Sequence, residues 1–149
     1  QLGGAIKNVM AIATGICDGL GLGANARAAL ITRALAEMTR FGIALGGQAK
    51  TFSGLTGVGD LLLTATDDQS RNRRLGMGLG AGGSITKLIK EIGQEIEGIN
   101  TARVLYEKSR ELGIQMPISE QVYRVIFDDL DPASAVTTLL GRAPREETD

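Results

Sequence analysis

The sequence predicts an all-α fold, a single helical domain of about seven or eight helices, and three observations carry that expectation. Apolar residues recur at the three- and four-residue spacing of a helix face along most of the chain. Residue types that start helices (Ser84, Pro117, Asp131 with Pro132) and types that end them (Gly19, Gly46, Gly113) fall between those stretches. No segment shows the strict apolar–polar alternation of a half-buried strand, and no internal repeat is present.

Taken in order, Ile6, Val9, Met10, Ile12, Ala13 and Ile16 predict a buried helix from Leu2 to about Asp18, ended by the cluster Gly19, Gly21 and Gly23. Asn25 opens a second helix with an apolar stripe of Ala28, Ile31, Leu35, Met38, Phe41 and Leu45, closed by Gly46 and Gly47. Residues 52–64, FSGLTGVGDLLLT, read as short helical pieces broken by glycine. Ser70 is a good N-cap for a helix beginning at Arg71. A glycine-rich span from Gly76 to Gly83 leads to a second N-cap, Ser84, and an amphipathic helix from Ile85 to Ile92. Ile99, Ala102, Leu105 and Tyr106 mark a helix that Gly113 ends after Leu112. Pro117 opens a helix burying Ile118, Val122, Val125 and Ile126. Asp131 and Pro132 begin the last, which runs to Leu140. The domain is thus expected to span 1–141, with a charged tail at 142–149.

A chain of 149 residues with 43% hydrophobic and 22% charged residues is long enough and apolar enough to bury one ordinary core. Its 16 basic and 17 acidic residues leave a net charge of -1, too little to attract nucleic acid, so any anion site must be local. Without histidine, Ser-His-Asp or Cys-His catalysis and histidine-ligated metals are excluded, and the single Cys17 can form no intrachain disulfide. The apolar first stretch is interrupted by Lys7, Asn8, Asp18 and its glycines, which argues against a membrane span or a signal peptide. A start at Gln1 suggests a fragment. Two glycine runs imitate a dinucleotide-binding fingerprint, GLGAGG at Gly78–Gly83 and GLGLGA at Gly19–Ala24. Each follows a helix and not a strand, so both are read as helix stops and close-packing sites.

Three polar features stand out. Lys7 is the one cation in an apolar, small-residue helix, with Asn8 beside it. It is either a general acid or base in a cleft, where desolvation favours a neutral amine, or a lysine whose stem lies along the helix edge. Asp60, in GVGDLLLT with Thr64 one turn on, either binds a ligand hydroxyl or Lys7, or caps a helix after Gly59. In the run from Ser70 to Arg74, SRNRR, arginines at a helix start cost about 0.3 to 1 kcal/mol each unless an anion is bound there. Arg71 suits phosphate by its two-pronged donor geometry; the other reading is a solvated basic turn offset by Asp67 and Asp68.

The segments LGGAIKNVMAIATGICDGLGLGANARAALITRALAEMTRFG, FSGLTGVGDLLLTAT, SRNRR, IEGINTARVLYE and MPISEQVYRVIF, in this order and spacing, resemble the bacterial NAD(P)-dependent glycerol-3-phosphate dehydrogenases. The resemblance covers Gln1 to about Gly141 and only the helical C-terminal half of that family. It implies an oxidoreductase that reduces dihydroxyacetone phosphate to sn-glycerol 3-phosphate with NAD(P)H, in the cytoplasm, for phospholipid synthesis. By motif it implies Lys7 as the catalytic lysine, and Asn8, Asp60, Thr64, Ser70, Arg71 and Asn72 as substrate contacts. Arg71, Glu95 and Glu97 are implied as cofactor contacts, Glu95 more by its backbone than by its side chain. It further implies an N-terminal Rossmann domain as partner and a fragment that is inert alone, while the long apolar helices suggest a homodimer. The alternatives are a non-catalytic helical dimerisation module, or the helical domain of a related hydroxy-acid or 6-phosphogluconate dehydrogenase. SRNRR and GVGDLLLT argue against the latter.

Overall fold

A computed structural model of the chain describes residues 2–46 and 67–141, with the side chains of positions 2, 3, 67 and 68 left aside. Among the described residues there are seven helices and no strand: α1 (Leu2–Gly19), α2 (Ala24–Ala44), α3 (Asp67–Gly80), α4 (Ile85–Ile92), α5 (Glu97–Leu112), α6 (Pro117–Phe127) and α7 (Pro132–Leu140). The expected helical pieces at 52–64, the closing Gly47 and the tail at 142–149 lie outside the described residues.

Helix α1 is the axis of the fold. Ile6, Val9, Met10, Ile12, Ala13, Ile16 and Cys17 are all buried, and α2, α3, α5, α6 and α7 all pack on it. A helix apolar on nearly every side must be surrounded, and this one is. Its most extensive partner is α3, which runs in the same direction. The two approach so closely that a Cβ on Gly15 would collide with the Arg73 carbonyl, and one on Gly19 with that of Met77. From the other side, a Cβ on Gly76 would strike the Ile12 carbonyl and one on Gly80 that of Ile16. Two pairs of glycines spaced by four residues thus bring the helix backbones into direct contact.

That contact explains where sequence periodicity misplaced α3. The expected start at Arg71 is late, since 67–70 are already helical, and the glycine-rich span expected after it is helical as far as Gly80. Ser70 is therefore not an N-cap but lies within the helix. The loop proper begins at Gly82, whose φ of 97° is left-handed.

The stripe on α2 is also rotated from expectation. Buried positions are Leu30, Ile31, Ala34, Glu37, Met38, Phe41 and Gly42, whereas Ala28 and Leu45 are exposed and Leu35 is only half-buried. Apolarity alone marked the wrong flank because the true stripe contains a carboxylate. Glu37 is fully buried and caps the start of α6: its Oε1 accepts from the Ile118 N–H at 2.7 Å, and its Oε2 from the Ser119 N–H at 2.8 Å and the Ser119 hydroxyl at 2.7 Å. Pro117 stands at the first turn of α6, as anticipated, and Ile118, Val122, Val125 and Ile126 are its buried face.

The remaining boundaries follow the sequence signals. Ser84 caps α4 by accepting from the Lys87 N–H, Asp131 Oδ2 caps α7 by accepting from the Ser134 N–H at 3.1 Å, and Gly113 ends α5 at a φ of 69°. No helix among the described residues is long and apolar enough to cross a membrane.

Two outcomes test this packing. Replacing Gly76→Ala is expected to destabilise the fold by about 1–3 kcal/mol in urea unfolding, since the opposing atom is backbone and cannot move aside. Gly4→Ala, where a Cβ meets nothing, should instead be neutral or gain up to about 1 kcal/mol from helix propensity. The second concerns Glu37. Burial pushes its carboxyl above the ordinary value, against the hydrogen bonds from Ser119 and Ile118 that pull it down. With the folded pKa above the unfolded one, its contribution is fully present below the unfolded value and is lost as pH rises through the folded one. The difference in unfolding free energy between wild type and Glu37→Gln should therefore shrink from acid towards neutral pH, and a flat difference would contradict the assignment.

Candidate functional site

Helix α1 presents Lys7 and Asn8 near its N-terminal end; Lys7 is half-buried and Asn8 buried. The parallel run of α3 beside α1 sets its own first turns at the same end of the fold. The Asn8 Oδ1 there accepts a hydrogen bond from the Gln69 Nε2 at 2.5 Å. Ser70, Arg71 and Asn72 follow directly.

The third component is the link between α4 and α5. Gly93 ends α4 in a left-handed conformation, φ 72°, and turns the chain back towards α3. The Arg71 guanidinium donates from Nε to the Glu95 carbonyl at 3.0 Å and from Nη1 to the Gln94 Oε1 at 2.9 Å. Two of the three guanidinium nitrogens are thus held by this link. Asn72 is fully buried and its Oδ1 accepts from the Gly98 N–H at 2.9 Å, satisfying a donor in the first turn of α5. Gly98 is small for cause: a Cβ there would collide with the Asn72 Oδ1 and the Ile12 Cδ1, and would press on the Asn8 carbonyl. Glu95 and Glu97 are exposed, the former bonded through its carbonyl and the latter the first residue of α5.

The basic run divides by the helical period. Arg71 and Arg74, three apart, line one cavity of about 360 Å³ with Ser70, Ile92 and Gln94. Arg73 points elsewhere, to Asp18 on α1, with its Nη2 2.6 Å from the Asp18 Oδ2. Arg27 approaches the same carboxylate oxygen at 3.6 Å. With 67–70 already helical, the N–H of Arg71 is directed at the carbonyl four residues back, so the positive character of this cavity comes from its guanidinium groups and not from a free helix end.

The structure thus brings together Asn8, Arg71 and Asn72 around the α4–α5 link, with Lys7 adjoining Asn8, Ser70 beside Arg71, and Glu95 and Glu97 on the link itself. Asp60 and Thr64 lie outside the described residues. Sequence reasoning missed Gln69, Gln94 and Gly98, and named Arg74 only as part of the SRNRR run. Glutamine carries no charge to mark it, and Gly98 stands one residue inside a helix start, where glycine looks incidental. Cys17 is no nucleophile, since burial, followed by the neighbouring Asp18, raises its thiol above the ordinary value against the lowering effect of Arg27. Among the described residues no group of His, Cys, Asp or Glu could hold a metal.

Fold and site together define an all-helical domain with a polar face on which two arginines line one cavity. The model of the NAD-dependent glycerol-3-phosphate dehydrogenase C-terminus matches residues 1–137, and the chain belongs to that family. It is 60% identical over 149 residues to a glycerol-3-phosphate dehydrogenase (NAD(P)+) of Methylococcus capsulatus, covering 100% of this chain and 44% of that protein. It is 57% identical over 146 residues to the enzyme of the same name from Acidithiobacillus ferrooxidans, covering 98% of this chain and 42% of that one. Among solved structures, the glycerol-3-phosphate dehydrogenase of Coxiella burnetii superposes with a TM-score of 0.88 at 51% identity, over 95% of this chain and 44% of that one. The chain therefore spans under half the length of these relatives.

Replacing Asn72→Ala leaves the buried Gly98 N–H without its acceptor and is expected to destabilise the fold by about 1–3 kcal/mol. Hydrogen exchange at Gly98 should accelerate more than at Gly113 in the same variant, and equal acceleration would show that the cap is not local.

Proposed function

We propose that this chain is the substrate-binding domain of a glycerol-3-phosphate dehydrogenase that reduces dihydroxyacetone phosphate to sn-glycerol 3-phosphate, its domain spanning 1–141. The observation that carries the reading is the Arg71 guanidinium, held through Nε and Nη1 by Glu95 and Gln94 inside a cavity lined by a second arginine and a serine. Family membership supports the identity of the anion as a phosphate ester.

In this reading Arg71, with Ser70 and Asn72 beside it, binds the substrate phosphate away from the reacting carbon, so that remote binding energy positions the carbonyl. Lys7 donates a proton to the oxygen that develops on the former ketone carbon, and in reverse the neutral amine removes the hydroxyl proton. Asn8 contacts substrate beside Lys7. Asp60 orients Lys7 or binds a substrate hydroxyl, with Thr64 one turn on. A reduced nicotinamide, when bound, supplies the hydride. The dinucleotide meets this chain at Arg71 and on the side of the link bearing Glu95 and Glu97; a cavity lined by two guanidinium groups suits its phosphates. Most of its binding falls to an N-terminal Rossmann domain. The working enzyme is a cytoplasmic homodimer serving phospholipid synthesis, and this chain alone is inert.

The test joins the chain behind the N-terminal portion of the Methylococcus capsulatus relative and follows NAD(P)H oxidation by dihydroxyacetone phosphate. Wild type should turn over, Lys7→Ala should lose at least about 100-fold in kcat, and Arg71→Ala should raise KM for the phosphate substrate at least about tenfold. An inactive wild-type fusion, or full activity in Lys7→Ala, would sink the reading; turnover by the 149-residue chain alone would overturn its predicted inertness.

A further inference from the structure

We infer that Arg74 is a second phosphate-binding residue of this site, acting beside Arg71 on one phosphate group of the substrate or of the dinucleotide. The inference rests on the reading just proposed. Arg74 follows Arg71 by three residues on α3, so the two project from one face, and both line the cavity of about 360 Å³. Its other lining residues among those described are Ser70, Ile92 and Gln94, so two guanidinium groups share the space.

The neighbouring cations show how this chain otherwise treats its arginines. Arg73 and Arg27 converge on Asp18, Arg103 pairs with Glu107, and Arg124 with Glu120. Arg71 is held by Gln94 and Glu95. Arg74 has no hydrogen-bond or ion-pair partner among the described residues, and it is exposed into the cavity where Arg71 already sits. Two guanidinium groups in one cavity repel each other, and an anion between them turns that repulsion into two attractions. A phosphate monoester carries about 1.5 to 2 negative charges at pH 7, and a dinucleotide's pyrophosphate two, so either matches the pair. Arg71 is held through two of its nitrogens and is thereby oriented, while Arg74 adds charge from the adjacent turn.

The experiment uses the fusion enzyme described above, with Arg74→Gln and Arg74→Lys. For Arg74→Gln, KM for dihydroxyacetone phosphate at saturating NADPH, or KM for NADPH at saturating dihydroxyacetone phosphate, should rise about three- to tenfold with kcat within about twofold of wild type. The KM that moves identifies the phosphate. Arg74→Lys should recover part of the loss, since it keeps the charge and lacks the fork. The inhibition constant for inorganic phosphate against the affected substrate should rise with it. If both KM values and the phosphate inhibition stay within about twofold of wild type while Arg71→Ala raises KM, Arg74 is a solvated arginine and the inference is wrong. A fall in kcat and in thermal stability with unchanged KM also overturns it, by making the role structural. An inactive wild-type fusion would instead remove the functional reading on which the inference stands.

Discussion

The contact between the backbones of α1 and α3 is the constraint on which the rest of the structure depends. Gly15 and Gly19 on one helix and Gly76 and Gly80 on the other remove the side chains that would hold the axes apart. Glycine inside a helix is unfavourable by about 1 kcal/mol relative to alanine, and here four such residues are kept because no Cβ fits. The gain is van der Waals contact along two backbones, together with burial of Leu75 and Leu79 in the core that α1 organises.

Because the two helices run in the same direction at this separation, their N-terminal ends coincide. Gln69 consequently meets Asn8, and the next three residues of α3 stand at the end of the fold that carries Lys7. Arg73, on the other face of α3, reaches Asp18 and ties the helices together from outside. The α4–α5 link then closes on this end through Arg71 and Asn72, and Gly98 permits the approach. A site assembled from three segments distant in sequence is thus a consequence of one helix crossing.

The far side of α1 is organised by polar satisfaction as much as by apolar burial. Glu37 spends both carboxylate oxygens on the first turn of α6, some 80 residues later, and so registers α2 against α6 with directional bonds that aliphatic contacts alone lack. The core around it is aliphatic and tolerant of sliding, and a buried acceptor with defined partners removes that freedom.

Local physics was enough to read much of the fold in the sequence. Ser84, Asp131 with Pro132, Pro117 and Gly113 act through bonds or dihedral angles within a few residues, and the helix boundaries they set needed no knowledge of neighbours. The all-helical class followed from apolar spacing in the same way, and the polar character of Lys7, Asn8 and the SRNRR run was visible as residue type. Tertiary structure alone decided the start of α3, the helical state of Gly76 to Gly80, the burial of Glu37, and the division of labour among Arg71, Arg73 and Arg74. Each of these depends on an atom far along the chain: a carbonyl of α1, the N–H groups of α6, a carboxylate at Asp18, the link before α5. A glycine reads as a stop and a glutamate as solvent-facing until the partner that reverses the free energy is in place, and that partner is supplied by packing.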